Sequence, residues 1–281
     1  VTLGVRAGRQ IAAGAVLAAT GVIAIALQVR AVAAFSYPIV WWGLLLMLDA
    51  SYFRRWGESP MRSDWRQFVG VTVPLSVLFW LIYEYLNLFF PQWRYRGIFE
   101  SHPIQAAIGF ASFATVIPIM IELYWLFGGR GKAFVPVKRS APALVVAGLF
   151  LLLLPLFSDW FWPNQGSWLG PALFLAPVVG VARMQAAPAA LVAGFVWELI
   201  NNWSLTKWEY TIHPDWPRLF EMPLLGYLGF VPFAFSTLAV YAWQRRIRPR
   251  ATVVVVLWVA AAAAMYGLVL LGARWSLMAP L

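Results

Sequence analysis

The sequence predicts an all-α membrane protein of about nine transmembrane helices, arranged as two parallel tandem repeats plus one extra helix. Three observations lead there. Of 281 residues, 62% are hydrophobic and only 11% charged, with a mean hydropathy of +0.73. A soluble chain carries about a quarter charged residues. Apolar runs of spanning length recur along the whole chain, whereas β-barrel strands alternate apolar and polar residues. Third, one polar signature occurs twice. Residues 83–95 read Tyr-Glu-Tyr-Leu-Asn-Leu-Phe-Phe-Pro-Gln-Trp-Arg-Tyr, and residues 197–210 read Trp-Glu-Leu-Ile-Asn-Asn-Trp-Ser-Leu-Thr-Lys-Trp-Glu-Tyr.

In chain order the expected spans are 10–29, 37–53, 68–90, 103–127, 141–157, 167–182, 187–203, 219–243 and 251–273. The first follows Arg6 and Arg9 and runs on without a clear small-residue cleavage site, so it reads as a retained helix. The second and sixth are short, and Pro171 and Pro177 break the sixth. Lys and Arg then set the orientation. With the N-terminus inside, fifteen of the 21 fall in cytoplasmic segments, chiefly 54–66, 130–139 and 245–250. The other six are Arg30, Arg94, Arg96, Lys207, Arg218 and Arg274. This bias predicts a cytoplasmic N-terminus and an external C-terminus in a bacterial inner membrane. It also accounts for the net charge of +10 without nucleic acid. The basic run Arg245-Arg246-Ile247-Arg248-Pro249-Arg250 reads as a topology determinant that meets anionic headgroups.

The repeat extends beyond its signature. Trp42-Gly43-Leu44 precedes the first copy and Trp168-Leu169-Gly170 the second. Pro74 lies ten residues before Glu84, and Pro188 ten before Glu198. A polar loop then leads to a helix expected to start at Pro103 or Pro223, since proline is tolerated in a first turn. The units are 1–128 and 129–244, four helices each, with 245–281 holding the additional helix. Four spans per unit bring both copies back in one orientation, so both signatures are expected on the outer face.

Glu84 and Asn87, like Glu198 and Asn201, are three apart and share a helix face. A carboxylate at the rim of a membrane helix is costly unless it has partners, water or a ligand. Glu84, Glu198 and Glu221 are therefore the candidate acids. The candidate ligand-binding set is Asn87, Trp93, Tyr95, His102, Asn201, Trp208, Tyr210 and His213. Each has a bland counterpart: the Trp-x-Tyr pairs as an interfacial aromatic belt, and the glutamates as pins held by backbone N–H groups, Arg94 or Lys207. Asp49 is expected to pair with Arg54 or Arg55, and Glu122 with Arg130 or a neighbouring helix. No metal site is expected, because neither histidine has a ligand-like spacing and there is no cysteine. No phosphate loop or nucleophile elbow occurs.

From the signatures onward the chain resembles the membrane lycopene cyclase family, the heterodimeric bacterial type whose halves are fused in fungi. In that family an acidic helix leads to a Trp-x-Tyr-like loop, then to a Phe-rich helix carrying Pro-x-Glu-Glu/Asp. The stretch from Glu198 to Tyr210 and Met222-Pro223-Leu224-Leu225-Gly226-Tyr227-Leu228-Gly229-Phe230 resembles this order. The resemblance implies tandem helical units around a carotenoid-sized cavity. It departs at the paired acids, where this chain has Leu225 and Gly226 in one copy and Gln105 and Ala106 in the other. Protonating a polyene needs a carboxylic acid held neutral, which none of these supplies.

The leading expectation is a membrane protein whose inter-repeat cavity holds a carotenoid, isoprenoid or other long lipid, with catalysis left open and no cofactor expected. The alternative is a non-catalytic subunit of a photosynthetic or respiratory membrane complex, partnered by other membrane subunits. A transporter is a third reading, resting on the parallel repeats and the broken sixth span.

Overall fold

The computed structural model describes residues 2–131, 134–137, 141–212, 216–274 and 278–280. His213 and the basic residues Lys132, Lys138 and Arg139 lie outside that set. The chain is mostly helical. Its longer helices are α1 Thr2–Ala26, α2 Ser36–Trp56, α3 Trp65–Phe89, α4 His102–Gly129, α5 Ala141–Leu153, α6 Gly170–Val179, α7 Ala186–Trp203, α8 Phe230–Gln244 and α9 Ala251–Arg274. Five helices, Ala7–Ala26, Trp65–Phe89, His102–Gly129, Leu224–Gln244 and Ala251–Ala273, are long and apolar enough to cross a membrane. That suits a multi-pass membrane protein.

Prolines shape the helices. Pro74 has no N–H for the Gly70 carbonyl, and a wide π turn at Phe68–Thr72 takes up the mismatch inside α3. Pro118 likewise leaves the Ala114 carbonyl without an N–H partner, and α4 bends at 114–115. The predicted sixth span is shorter than expected. Its helix has ten residues, roughly 15 Å at 1.5 Å per residue, about half a bilayer core. Pro177 lies inside it, and Gly180 at φ 86° ends it.

Two helix pairs use the same close crossing. A Cβ on Gly14 of α1 would lie 2.6 Å from the Gly43 carbonyl oxygen of α2, and one on Gly43 2.7 Å from that of Gly14. In α5 and α6 the corresponding approaches are 2.7 Å, Gly148 to Gly170, and 2.8 Å in reverse. Small residues let membrane helices approach this closely.

The architecture is not purely α-helical. The Trp-x-Tyr stretches form strands β1 (Trp93–Ile98) and β2 (Lys207–Tyr210), which pair antiparallel. A hairpin follows, β3 (Arg218–Leu219) with β4 (Met222–Pro223). The strand β5 (Met278–Pro280) then adds parallel to β1. Pro223 thus ends a strand where a helix start was expected, and a 3-10 turn, Leu224–Gly229, leads into α8.

Aromatic rings fill the core under this sheet. Trp168 stacks on Tyr83 with centroids 4.5 Å apart, and Trp41 meets Trp197 edge-on at 5.7 Å. Phe233 packs against Tyr83, Trp80, Trp168 and Trp197 together. At the far end of α2 and α4 the expected ion pairs are replaced. Asp49 accepts from the Met61 N–H at 2.8 Å and lies 3.7 Å from Arg62, not against Arg54 or Arg55. Glu122 is buried and faces Asp49, while Arg130 pairs with Glu58 at 2.5 Å and covers the Trp56 ring. Nearby, the Gln67 amide donates to the Gln244 side-chain oxygen at 2.6 Å, tying α3 to α8.

Candidate functional site

The two signatures meet at one end of the helices, and each builds its polar cluster by the same route. The asparagine, one helical turn beyond the glutamate, pins the incoming strand. Asn87 donates to the Trp93 carbonyl at 2.9 Å and accepts from the Gln92 N–H at 2.7 Å and the Trp93 N–H at 3.2 Å. Asn201 donates to the Trp208 carbonyl and accepts from the Trp208 N–H, both at 2.9 Å. These bonds replace the hydrogen-bond partners that backbone lacks beyond a helix end. Pinned in this way, the strand turns its Trp and Tyr, two apart and so on one face, back onto the glutamate.

Glu84 is 2% exposed. Its Oε1 accepts from the Tyr95 hydroxyl at 2.5 Å and the Trp80 indole N–H at 2.6 Å, and its Oε2 from the Trp93 indole at 3.3 Å. Glu198 is fully buried, and its Oε1 accepts from the Tyr210 hydroxyl at 2.8 Å and the Trp208 indole at 3.3 Å. Its Oε2 has no hydrogen-bond partner among the described residues. In the first copy the strand tryptophan, Trp93, serves Oε2, whereas its counterpart Trp208 turns to Oε1; the copies also differ one helical turn earlier. Trp80 stands four residues before Glu84, and Gly194 four before Glu198, where a Cβ would run into the Phe230 ring. Burial, and next the neighbouring glutamate, hold the Tyr95 and Tyr210 phenols well above their ordinary pKa. Both stay protonated donors.

The strands join the clusters. Trp93 is opposite Tyr210, Arg94 opposite Glu209 and Tyr95 opposite Trp208. Exchanging Trp93 with Trp208 and Tyr95 with Tyr210 maps this ladder onto itself. Across it, Arg96 pairs with Glu209 at 2.5 Å.

A mostly apolar cavity of about 450 Å³ lies beneath the ladder, among α2, α3, α4, α7, α8 and α9. Aromatic side chains dominate its wall, including Trp80, Trp168 and Trp197. Tyr95, Trp208, Tyr210 and Glu198 are also in that wall; Glu84 is not. The volume falls inside the range of about 300–1,000 Å³ usual for small-molecule sites. Comparison with protein-family models, curated proteins and solved structures finds no match.

The sequence-predicted residues therefore separate. Glu84, Asn87, Trp93 and Tyr95 form one hydrogen-bonded cluster, and Glu198, Asn201, Trp208 and Tyr210 the other. The Trp-x-Tyr pairs are inward-facing donors rather than an interfacial belt. Neither glutamate is held by Arg94 or Lys207. Lys207 instead pairs at 2.5 Å with Glu221, which is outside the cavity wall. His102 opens α4 and does not line the cavity. Sequence reading missed Trp80 and Trp168. The four-residue spacing from Trp80 to Glu84 on one helix was an available signal. Trp168 comes from a 3-10 turn just before α6; the repeat marked it in sequence, but no local pattern shows that it reaches Tyr83. Among the described residues no group of three or more His, Cys, Asp and Glu side chains gathers as a metal site.

Proposed function

We propose that the protein is a duplicated, multi-pass membrane protein that holds a long isoprenoid or similar lipid in the cavity between its two halves. The observation that carries this reading is the aromatic, largely apolar cavity of about 450 Å³ with a buried carboxyl in its wall. Such a wall suits an apolar chain, and its few polar groups suit orientation rather than solvation. The duplication is supported by the self-mapping strand ladder, the paired glycine crossings and the two Asn-pinned glutamates. Resemblance to membrane lycopene cyclases agrees with the ligand class, while Leu225, Gly226, Gln105 and Ala106 leave the cyclase acid pair absent. Binding without cyclisation is the reading adopted here.

The test uses the cavity itself. Gly229 lines it with φ −64° and no heavy atom within 4 Å of an added Cβ, so Gly229→Leu fills space without straining the backbone. Protein extracted in mild detergent is expected to carry a co-purifying isoprenoid or lipid, identified by mass spectrometry and absorption. Gly229→Leu should retain at most a tenth as much, on the order of what a blocked pocket leaves. Equal ligand in both proteins would overturn the cavity reading. Orientation is tested separately, since the chain has no cysteine. Ser101→Cys and Thr211→Cys should label from one face of the membrane and Ser63→Cys from the other.

A further inference from the structure

We infer that the cavity exchanges its ligand sideways with the surrounding bilayer, through a mouth between Trp162 and the 3-10 turn Leu224–Gly229; this rests on the lipid-binding reading above. Only three wall residues are exposed: Trp162 at 64%, Leu225 at 56% and Leu228 at 63%. The others are buried or half-buried, so the cavity reaches the surface at these three. A chain of contacts closes the rim. The Trp162 ring packs on that of Trp216, another wall residue, with centroids 5.7 Å apart. The next residue, Pro217, accepts from the Leu224 N–H at 2.9 Å, and Leu224 begins the turn that carries Leu225 and Leu228. The strand side is shut, because its wall residues Trp93, Ile98, Met222 and Pro223 are buried.

What lies outside the mouth follows from its side chains. Trp162, Leu224, Leu225 and Leu228 are all large, apolar and exposed. Apolar surface gathered around one opening is unfavourable in water and suited to lipid tails. Trp162 and Trp216 fit the headgroup boundary, where indoles concentrate. The one cation in the wall, Lys207, is paired with Glu221 at 2.5 Å, so an entering apolar chain meets no unpaired cation. The turn can also give way. None of its six residues is buried, so it can shift without uncovering the core. An apolar ligand dissolved in the membrane thus reaches the cavity without crossing water, and the ligand class is a membrane-resident lipid.

The absence of native cysteine makes the mouth easy to probe. Leu225→Cys and Leu228→Cys each carry a nitroxide label in protein reconstituted into phosphatidylcholine vesicles. Both labels should collide more with dissolved oxygen, which concentrates in lipid, than with a water-soluble nickel chelate. Ser63→Cys, at an exposed turn, should do the reverse. Loading is then timed with radiolabelled phytane, an isoprenoid hydrocarbon, dissolved in the vesicles beforehand; protein is captured at intervals and counted. Leu225→Glu and Leu228→Glu alter exposed positions, so the core is untouched, but a carboxylate facing lipid is costly to pass. Each should load about tenfold more slowly than wild type and reach the same final occupancy. Preferential collision of both mouth labels with nickel would place the opening in water and overturn the inference, as would wild-type loading rates in both Glu variants. If Gly229→Leu excludes phytane while both Glu variants load as fast as wild type, the cavity reading stands and the mouth falls. If Gly229→Leu loads as wild type does, the cavity reading falls and the mouth with it.

Discussion

Glu84 and Glu198 occupy the same place in two copies of one signature, yet their surroundings differ. Glu84 accepts three side-chain hydrogen bonds spread over both oxygens. Glu198 accepts two, both at Oε1. Two things differ: Trp80 adds an indole donor that Gly194 cannot, and the strand tryptophan serves the second oxygen in one copy (Trp93 on Oε2) but the tyrosine's oxygen in the other (Trp208 on Oε1). Where all polar demand is met inside the protein, a buried carboxyl acts as a rigid pin for the strand above it. Where one oxygen is left over, the same carboxyl keeps an unmet hydrogen bond among the described residues. One sequence pattern thus builds two clusters that differ in how fully their carboxyl is satisfied.

The largest effect expected from this contrast is on stability. Glu84→Leu strands the Trp80, Trp93 and Tyr95 donors together, at about 1–3 kcal/mol each. For a chain of this size that corresponds to a fall in Tm on the order of 10 °C. Glu198→Leu strands two donors but also removes an unpartnered buried oxygen, which offsets part of the loss. Its Tm should fall by less than half as much. Thermal unfolding in detergent, followed by circular dichroism, makes the comparison. Equal falls for both variants would show that the unpartnered oxygen carries no energetic weight.

The asparagines rank next. Asn87→Ala removes three hydrogen bonds to the 92–93 backbone, and Asn201→Ala two to Trp208. Each variant leaves buried backbone groups unpaired, so losses of about 2 kcal/mol are expected, slightly larger for Asn87. Hydrogen exchange should quicken at Trp93–Ile98 in the first variant and Lys207–Tyr210 in the second. Unchanged exchange in both strands would mean that the ladder alone holds the signatures.

Much of this was legible in the sequence because it rests on local rules. Apolar runs mark the helices, and the three-residue spacing puts each glutamate and asparagine on one face. The strands were legible too, though belt propensity masked them. Trp93-Arg94-Tyr95-Arg96 and Lys207-Trp208-Glu209-Tyr210 alternate aromatic and charged residues with period two, a strand signal. What no local pattern encodes is which distant side chain completes a site. Trp168 over Tyr83, Phe230 over Gly194 and Glu122 beside Asp49 are set by packing between elements far apart in the chain. The Asp49 and Arg62 pairing shows the same limit at shorter range: the arginines closest in sequence, Arg54 and Arg55, sit on exposed helix surface, while the loop folds Arg62 back.

The smallest expected effect is also the sharpest test of why the two clusters differ. Trp80→Phe removes the indole N–H bonded to Glu84 at 2.6 Å and keeps an aromatic ring at that position. The ring contacts with Phe113, Trp93, Trp168 and Phe233 can persist, so little packing is lost. Oε1 still accepts from Tyr95 and Oε2 from Trp93, so neither oxygen is orphaned. The loss is one hydrogen bond whose acceptor keeps another donor, about 1 kcal/mol, or roughly 3 °C in Tm. A fall in Tm as large as that of Glu84→Leu would mean that Trp80 matters chiefly through packing. An unchanged Tm would mean that the Trp80 indole adds nothing to a carboxyl whose two oxygens Tyr95 and Trp93 already satisfy.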